Sequence, residues 1–390
     1  MNYIDIFNAI KSGSSEIVIE SELLALLRDK RDLRIKVGFD PTSDVLHLGH
    51  FLILRKLRQF QDFGYKVDFL IGDFTARIGD PTGKSKMRKH LTKDEVLCNY
   101  KTYSDQAFKI LNSKLTNVLF NSSWFNLFKS ENFIKISSMV TVSKMLERSD
   151  FKFRYASNVP IGMHEFLYPL LQAYDSVFLK SDIEVGGIDQ KFNFLLSREL
   201  QKKFNQKSQV VVMMPLLKGL DGVSKMSKSL GNYIGISDKP YDMFCKIMSI
   251  SDDLMREYYL LFGFSEMPFC TDLMELKINL AINIILFFYN NIDAAFAKQK
   301  FLSQFCKSEV PNSINIVSLF ISDFGISLLD ILSRTNLVNS SSESRRMIKQ
   351  RAVSLNGCVV EDRNFLIKVG DDCILQIGKK KFVKVILKKV

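Results

Sequence analysis

Two short basic clusters, His47-Leu-Gly-His50 and Lys225-Met-Ser-Lys-Ser229, carry the side-chain types that handle phosphate. Histidines three apart at the start of a helix can turn both rings to one side, where the helix dipole and free N–H groups already favour an anion. Lysines three apart in a glycine-flanked loop, Gly222 to Gly231, are long flexible point charges that can meet on one pyrophosphate. Each cluster alone has a plainer reading, the histidines as helix caps or core residues and the lysines as a solvated surface turn. Together they point to nucleotide chemistry, and two of the four histidines in the chain stand at this one place.

A carboxylate attacking ATP needs such groups. The nucleophile is already an anion near neutral pH, so no general base is required. The difficulty is bringing two anions together and stabilising the charge that moves onto pyrophosphate. A third basic run, Gly79-Asp-Pro-Thr-Gly-Lys84 with Lys86 and Arg88, lacks full P-loop spacing. It reads as further pyrophosphate contact and not as a separate ATPase site.

The elements around these clusters explain how they could meet. Leu33–Phe39 is a short apolar strand that turns through Asp40-Pro41-Thr42; Leu48, Leu52, Leu57 and Phe60 follow near helical spacing; Gly64 can close that helix before the strand Val67–Ile71. Strand, helix, strand predicts a parallel sheet with its ligand at the carboxyl ends of the strands. A second such unit surrounds Gly186-Gly-Ile-Asp-Gln190, with a helix over Lys191–Lys203 and the strand Val210–Met214 leading into the lysine loop. The expected fold class is therefore α/β, with a Rossmann-like parallel-sheet catalytic domain over residues 1–236.

From 237 to 326 helical patterns dominate, which predicts a separate α-helical domain. Residues 327–390 read as a small α+β module. Ser340-x-x-Glu343 fits a capping box for a helix over Glu343–Arg351, Asn356-Gly357 fits a hairpin turn, and Gly378-Lys-Lys-Lys-Phe382 opens a basic strand.

A chain of 390 residues is too long for one ordinary core, and 46% hydrophobic with 25% charged residues suits a globular protein. The longest apolar run, Ile278–Tyr289, is interrupted by Asn279 and Asn283 and is too short to cross a bilayer, so it reads as a buried helix. The N-terminal residues lack the pattern of a secretory signal, and a cytoplasmic protein with no membrane partner is expected. Six dispersed cysteines with no Cys-x-x-Cys suggest reduced thiols and no tightly bound metal. The net charge of +12 is concentrated toward the end, where residues 333–390 hold 13 Lys/Arg against 5 Asp/Glu. That balance favours a polyanionic partner.

The chain resembles the class I aminoacyl-tRNA synthetases, and within them the tyrosine-specific family. The resemblance rests on Gly38-Phe-Asp-Pro-Thr42 before His47, Gly72-Asp-Phe-Thr75 with Ile78-Gly-Asp-Pro81, Tyr168-Pro-Leu-Leu-Gln-Ala-Tyr-Asp175, Gly187-Ile-Asp-Gln190 and the lysine loop, in that family's order and spacing. It spans nearly the whole chain, because the C-terminal stretch resembles the S4-type RNA-binding domain of many bacterial members.

The resemblance implies that Asp175 accepts from the tyrosine phenol and that Tyr168, Gln172, Asp80 and Gln190, with Thr75 beside them, hold the rest of the amino acid. It implies that Gly38, Asp40, Gly49, Gly187 and Asp189 line the nucleotide, that Thr42, His47 and His50 contact phosphate or adenine, and that Met226 and Ser227 line the ATP site. Lys84, Arg88, Lys225 and Lys228 would embrace pyrophosphate. The implied substrates are L-tyrosine, ATP with Mg²⁺ on its phosphates, and tRNA(Tyr). Many family members carry a second phenol-binding tyrosine where this chain has Lys36; a branch of the family shares the Lys-apolar-Gly pattern, so Lys36 is counted in the tyrosine pocket.

Arg345, Arg346 and Lys349, with Lys379, Lys380, Lys381 and Lys384, offer a cluster for RNA phosphates. The family is a homodimer built through an insertion near residues 120–165, where Phe125, Phe128, Phe133 and Met139 supply either dimer surface or core. Two rival functions remain open at this point, the tryptophan-specific relative and an RNA-binding protein that has lost catalysis.

Overall fold

The computed structural model describes the chain except for residues 1, 30, 31, 81–91, 265–271, 306–314, 322–324, 336, 339, 357, 361, 363, 364, 368–372, 379, 380 and 390. It divides into two compact units, Met1–Ala295 and Phe296–Val390.

The first unit is built on a six-stranded sheet of β1 (Glu16–Val18), β2 (Ile35–Phe39), β3 (Val67–Ile71), β4 (Thr116–Phe120), β5 (Ile183–Gly187) and β6 (Val210–Met214). The order is β1-β6-β5-β2-β3-β4, with only β1 antiparallel. Strands such as Val210-Val-Val-Met-Met214 are buried along their whole length. Continuous apolar runs of this kind are what helices covering both faces of a parallel sheet demand. Two βαβ units run in opposite directions from the centre, so the order reverses between β2 and β5. Such a switch point opens a crevice at the carboxyl ends of the two strands.

The Leu48–Asp62 helix follows β2 and ends before Gly64, whose φ of +89° suits glycine. The Met163–Leu179 helix precedes β5 and the Lys191–Lys203 helix follows it. The described residues between 237 and 285 carry the helices Pro240–Met248, Asp252–Leu261 and Leu273–Ile285. They belong to the first unit, where Phe51 on the Leu48–Asp62 helix meets the rings of Phe262, Phe287 and Phe288 at 6.1, 4.8 and 4.9 Å. Shared burial therefore joins these helices to the sheet layer.

The second unit carries β7 (Asn315–Ile321), β8 (Ile326–Ser327), β9 (Val353–Leu355), β10 (Cys358–Val359), β11 (Leu366–Ile367), β12 (Cys373–Ile377) and β13 (Lys381–Lys389). Five of them form a sheet in the order β10-β9-β12-β13-β7, and β8 pairs with β11. Leu328, Ile331, Leu332, Ile348, Leu375 and Val385 lie in its core. The β9–β10 turn contains Asn356 at φ +49°, as the two-residue hairpin requires. The helix after Ser340 spans Ser341–Lys349, and Arg351 sits beyond its end at φ +56°.

One expectation is corrected. Helical patterning places residues 315–321 in a helical domain, yet they form β7, parallel to β13 over its whole length. Asn315-Ile-Val-Ser-Leu-Phe-Ile321 is β-branched and apolar, and the strand that recruits it lies more than 60 residues later, beyond any local pattern. Phe125 is buried, and Phe128 and Phe133 pack against the same core cluster. Met139 packs against a neighbouring one, so these four side chains serve the interior.

Candidate active site

The crevice between β2 and β5 opens into a cavity of about 1180 Å³. His47, His50, Lys225, Lys228 and Asp175 all line it, as do Thr42, Gly38, Asp40, Gly49, Thr75, Asp80, Tyr168, Gln172, Gly187, Asp189, Gln190, Met226, Ser227 and Lys36. Lys84, Arg88, Lys379 and Lys380 lie outside the described residues.

His47 is the N-cap of its helix and also lines the cavity. Its Nδ1 accepts from the Gly49 N–H at 3.2 Å, and the Nδ1 of His50 accepts from the His47 N–H at 3.2 Å. These bonds assign the proton of each neutral ring to Nε2, which is left as a donor. Burial drives the His47 pKa down to about 2, helped by His50 and Lys225. Burial also lowers His50, to about 4, with Asp189 opposing and Lys225 assisting. At neutral pH the two rings are uncharged donors with centroids 3.9 Å apart.

Main-chain bonds bring the lysine loop to the histidines. Leu48 donates to Ile234 O at 3.0 Å and Ile236 donates to Leu46 O at 2.9 Å. Asp221 accepts the N–H groups of Val223 and Ser224 at 3.0 Å and ties Asn232, which in turn accepts from Ser227 at 2.9 Å. From this frame Lys225 reaches Asp189 at 3.0 Å, and Lys228 pairs with Asp44.

A deeper part of the cavity is acidic. Asp40 accepts from Thr75 Oγ1 and from Tyr168 OH, both at 2.9 Å. Gly72 beside them is required by space, because a Cβ there would fall 2.0 Å from Asp40 Oδ1 and 2.4 Å from Thr75 Oγ1. Asp175 accepts from Trp124 Nε1 at 3.0 Å and from Asn121 Nδ2 at 3.3 Å. Burial raises its pKa to about 7, against the lowering pull of Lys36 and of these two donors. Gln172 donates to Gln190 at 3.3 Å, and Asp80 stands 3.6 Å from Arg148.

Several contributors carried no sequence signal. Trp124 and Asn121 come from the segment after β4, and Gln106 fixes the Asp44–Leu46 loop through Leu46 N–H and Asp44 O, each at 2.9 Å. Lone polar residues on helices look like surface until the fold turns them inward.

Parallel sheet, switch-point crevice, paired neutral imidazoles and an opposing lysine loop define a class I tRNA synthetase, and residues 28–316 match the family of tRNA synthetases class I (W and Y). Residues 327–373 match the S4 domain. The chain is 49% identical over 389 residues to a tyrosine–tRNA ligase of Coxiella burnetii, covering 97% of this chain and 98% of that one. It is 50% identical over 387 residues to tyrosine–tRNA ligase 2 of Pseudoalteromonas translucida, covering 96% and 97%. The chain belongs to the tyrosine–tRNA ligase family. Its fold is shared with tyrosyl-tRNA synthetase of Archaeoglobus fulgidus, solved with L-tyrosine, at a TM-score of 0.63 and 23% identity over 76% of this chain and 99% of that one.

Proposed function

We propose that this cavity activates tyrosine with ATP and that the whole chain passes the tyrosyl group to tRNA(Tyr). The observation that carries the reading is the convergence of His47, His50, Lys225, Lys228 and Asp175 on one crevice. A tyrosine carboxylate oxygen attacks the α-phosphorus of magnesium-bound ATP, the bond to the bridging oxygen breaks, and pyrophosphate leaves with the electron pair. A terminal ribose hydroxyl of the tRNA then displaces AMP from the adenylate.

The phenol donates to Asp175, while Tyr168, Gln172, Gln190, Thr75 and Asp80 hold the amino and backbone end. Asp80 shares its charge with Arg148, so it grips the ammonium as one of several partners. Gly38, exposed on the crevice floor, admits the nucleotide beside Asp40, Gly49, Gly187, Asp189, Met226 and Ser227. The Nε2–H groups of His47 and His50, with Thr42 nearby, meet phosphate as it gains charge. Donors already fixed before reaction need no reorganisation, which is where such sites gain rate. Lys225 and Lys228 exchange Asp189 and Asp44 for pyrophosphate, joined by Lys84 and Arg88.

Catalysis is assigned to residues 1–236. RNA binding is assigned to the helices after 237 and to the 327–390 module, whose Arg345, Arg346 and Lys349 are exposed on one helix and whose Lys381 is exposed on β13. A homodimer is proposed through residues 120–165, where Leu127, Ile134, Val142, Phe153 and Tyr155 present exposed apolar side chains. The protein is proposed to work in the cytoplasm; no described helix is long and apolar enough to cross a membrane. A crystal structure with a non-hydrolysable tyrosyl-adenylate analogue tests the site. The phenol should lie on Asp175 and the phosphate on the two imidazoles; an analogue bound with its ring away from Asp175 would refute the assignment.

A further inference from the structure

We propose that Lys36 is a specificity-determining residue that donates to the phenolic oxygen of the amino acid, held in position by Glu184. The inference rests on the tyrosine reading above and supplies the second partner of the phenol. Lys36 and Gly38 stand two apart on β2, which puts them on one face of the strand, and both line the crevice. Glu184 on β5 is its register partner across the switch point. Both side chains are only 1% exposed, and Lys36 Nζ lies 2.9 Å from Glu184 Oε1.

The Glu184 carboxylate meets three donors among the described residues. Its Oε2 accepts from Ser176 Oγ at 3.1 Å and from Gln209 Nε2, which fixes the carboxylate that pairs with Lys36. The ammonium is not fully used. It donates to Ser176 Oγ at 2.6 Å and pairs with Glu184, which among the described residues accounts for two of its three N–H groups. Lys36 and Asp175 line the same cavity, and Ser176 is the next residue along the helix from Asp175. A buried ion pair seldom improves stability over an apolar pair of similar volume. A buried cation lining the same cavity as the carboxylate that accepts the phenolic hydrogen bond is matched to the oxygen lone pairs of that phenol. Phenylalanine would leave the donor and the acceptor unfilled together.

The test is amino-acid-dependent ATP–pyrophosphate exchange by the full chain with tyrosine and with 4-aminophenylalanine. The aniline can donate to Asp175, yet its delocalised lone pair is a poor acceptor for Lys36. Lys36→Met leaves Glu184 buried without its cation, so Lys36→Met/Glu184→Gln is measured beside it, each checked for native-like cooperative melting. Loss of a charge-assisted hydrogen bond predicts a fall of roughly tenfold to a hundredfold in kcat/KM for tyrosine. The same variants should change little with 4-aminophenylalanine, so the preference narrows by that factor. Equal losses with both amino acids, or no loss with either, would reduce Lys36 to a structural ion pair and overturn the proposal. Absence of tyrosine-dependent exchange in the native chain would instead overturn the function on which it rests.

Discussion

Trp124 donates its indole N–H to Asp175 Oδ1 at 3.0 Å, and it is the one tryptophan in the chain. The group proposed to bind the phenol is therefore in contact with the only indole, and the carboxylate is held by two donors before any ligand arrives.

Protonation of Asp175 gives a pH dependence whose sign is fixed. Its native pKa of about 7 lies above the ordinary 3.8, so the native state holds a proton that the unfolded chain releases. Stability of the free protein should therefore decline as pH rises from about 4 to about 7 and level off above. Tyrosine affinity should move the other way near neutrality, because the ionised carboxylate is the better acceptor for a phenol. Titrating Trp124 fluorescence with tyrosine between pH 6 and 8 should show tighter binding at the higher pH. Asp175→Asn should abolish that slope, and a slope that survives the substitution would count against this role.

The two histidines are uncharged at neutral pH. With pKa values near 2 and 4 they do not titrate between pH 5 and 8, and the rate of adenylate formation should show no histidine ionisation there. His50→Ala removes one Nε2–H donor and should lower kcat by about a hundredfold to a thousandfold, the range for losing one preorganised donor. The KM for tyrosine should change little. Lys228→Ala should show the same division. Single-turnover adenylate formation measures both, and a loss confined to tyrosine KM would place these groups elsewhere.

Arg154 and Glu165 form a second buried pair, with Arg154 NH1 2.5 Å and NH2 2.9 Å from the carboxylate oxygens. Removing one partner strands the other, so Glu165→Gln or Arg154→Met should destabilise by about 3–5 kcal/mol. The double change should recover much of that loss. Chemical denaturation provides the comparison, and single and double variants of equal stability would contradict the coupling.

Ending the chain at Phe305 removes the whole second sheet, including β7, which pairs with β13. Adenylate formation should survive, while tRNA charging weakens and loses part of its salt dependence. A cut at 333 would instead leave β7 without its partner. Equal loss of both activities in the Phe305 truncation would tie the second unit to the chemistry.

Sequence made the site visible wherever chemistry and local pattern coincide. The βαβ unit around β2, its helix ending before Gly64 and the second unit at Gly186 follow from apolar periodicity and turn residues. His47, His50, Lys225 and Lys228 stand out because two basic clusters, each with a plainer reading alone, occur together at a helix start and in a glycine-flanked loop. Residues joined only by the fold stayed hidden. Trp124 reaches Asp175 across 51 positions and Asp44 meets Lys228 across 184, and no local pattern marks either. Lys36 stood out as a departure from the family, but its bond to Glu184 depends on the pairing of β2 with β5. The strand at 315–321 escaped for the same reason, since its partner lies near the end of the chain.

Amino-acid-dependent ATP–pyrophosphate exchange is the most direct measurement, run on the native chain with tyrosine, phenylalanine and tryptophan. A pocket that accepts a phenolic proton rejects a ring without one, and tyrosine against phenylalanine is the standard case of that rule. Exchange should depend on tyrosine alone and should collapse in Asp175→Asn. Exchange driven by tryptophan, or tyrosine exchange that is unchanged in Asp175→Asn, would contradict the placement of a phenol on that carboxylate.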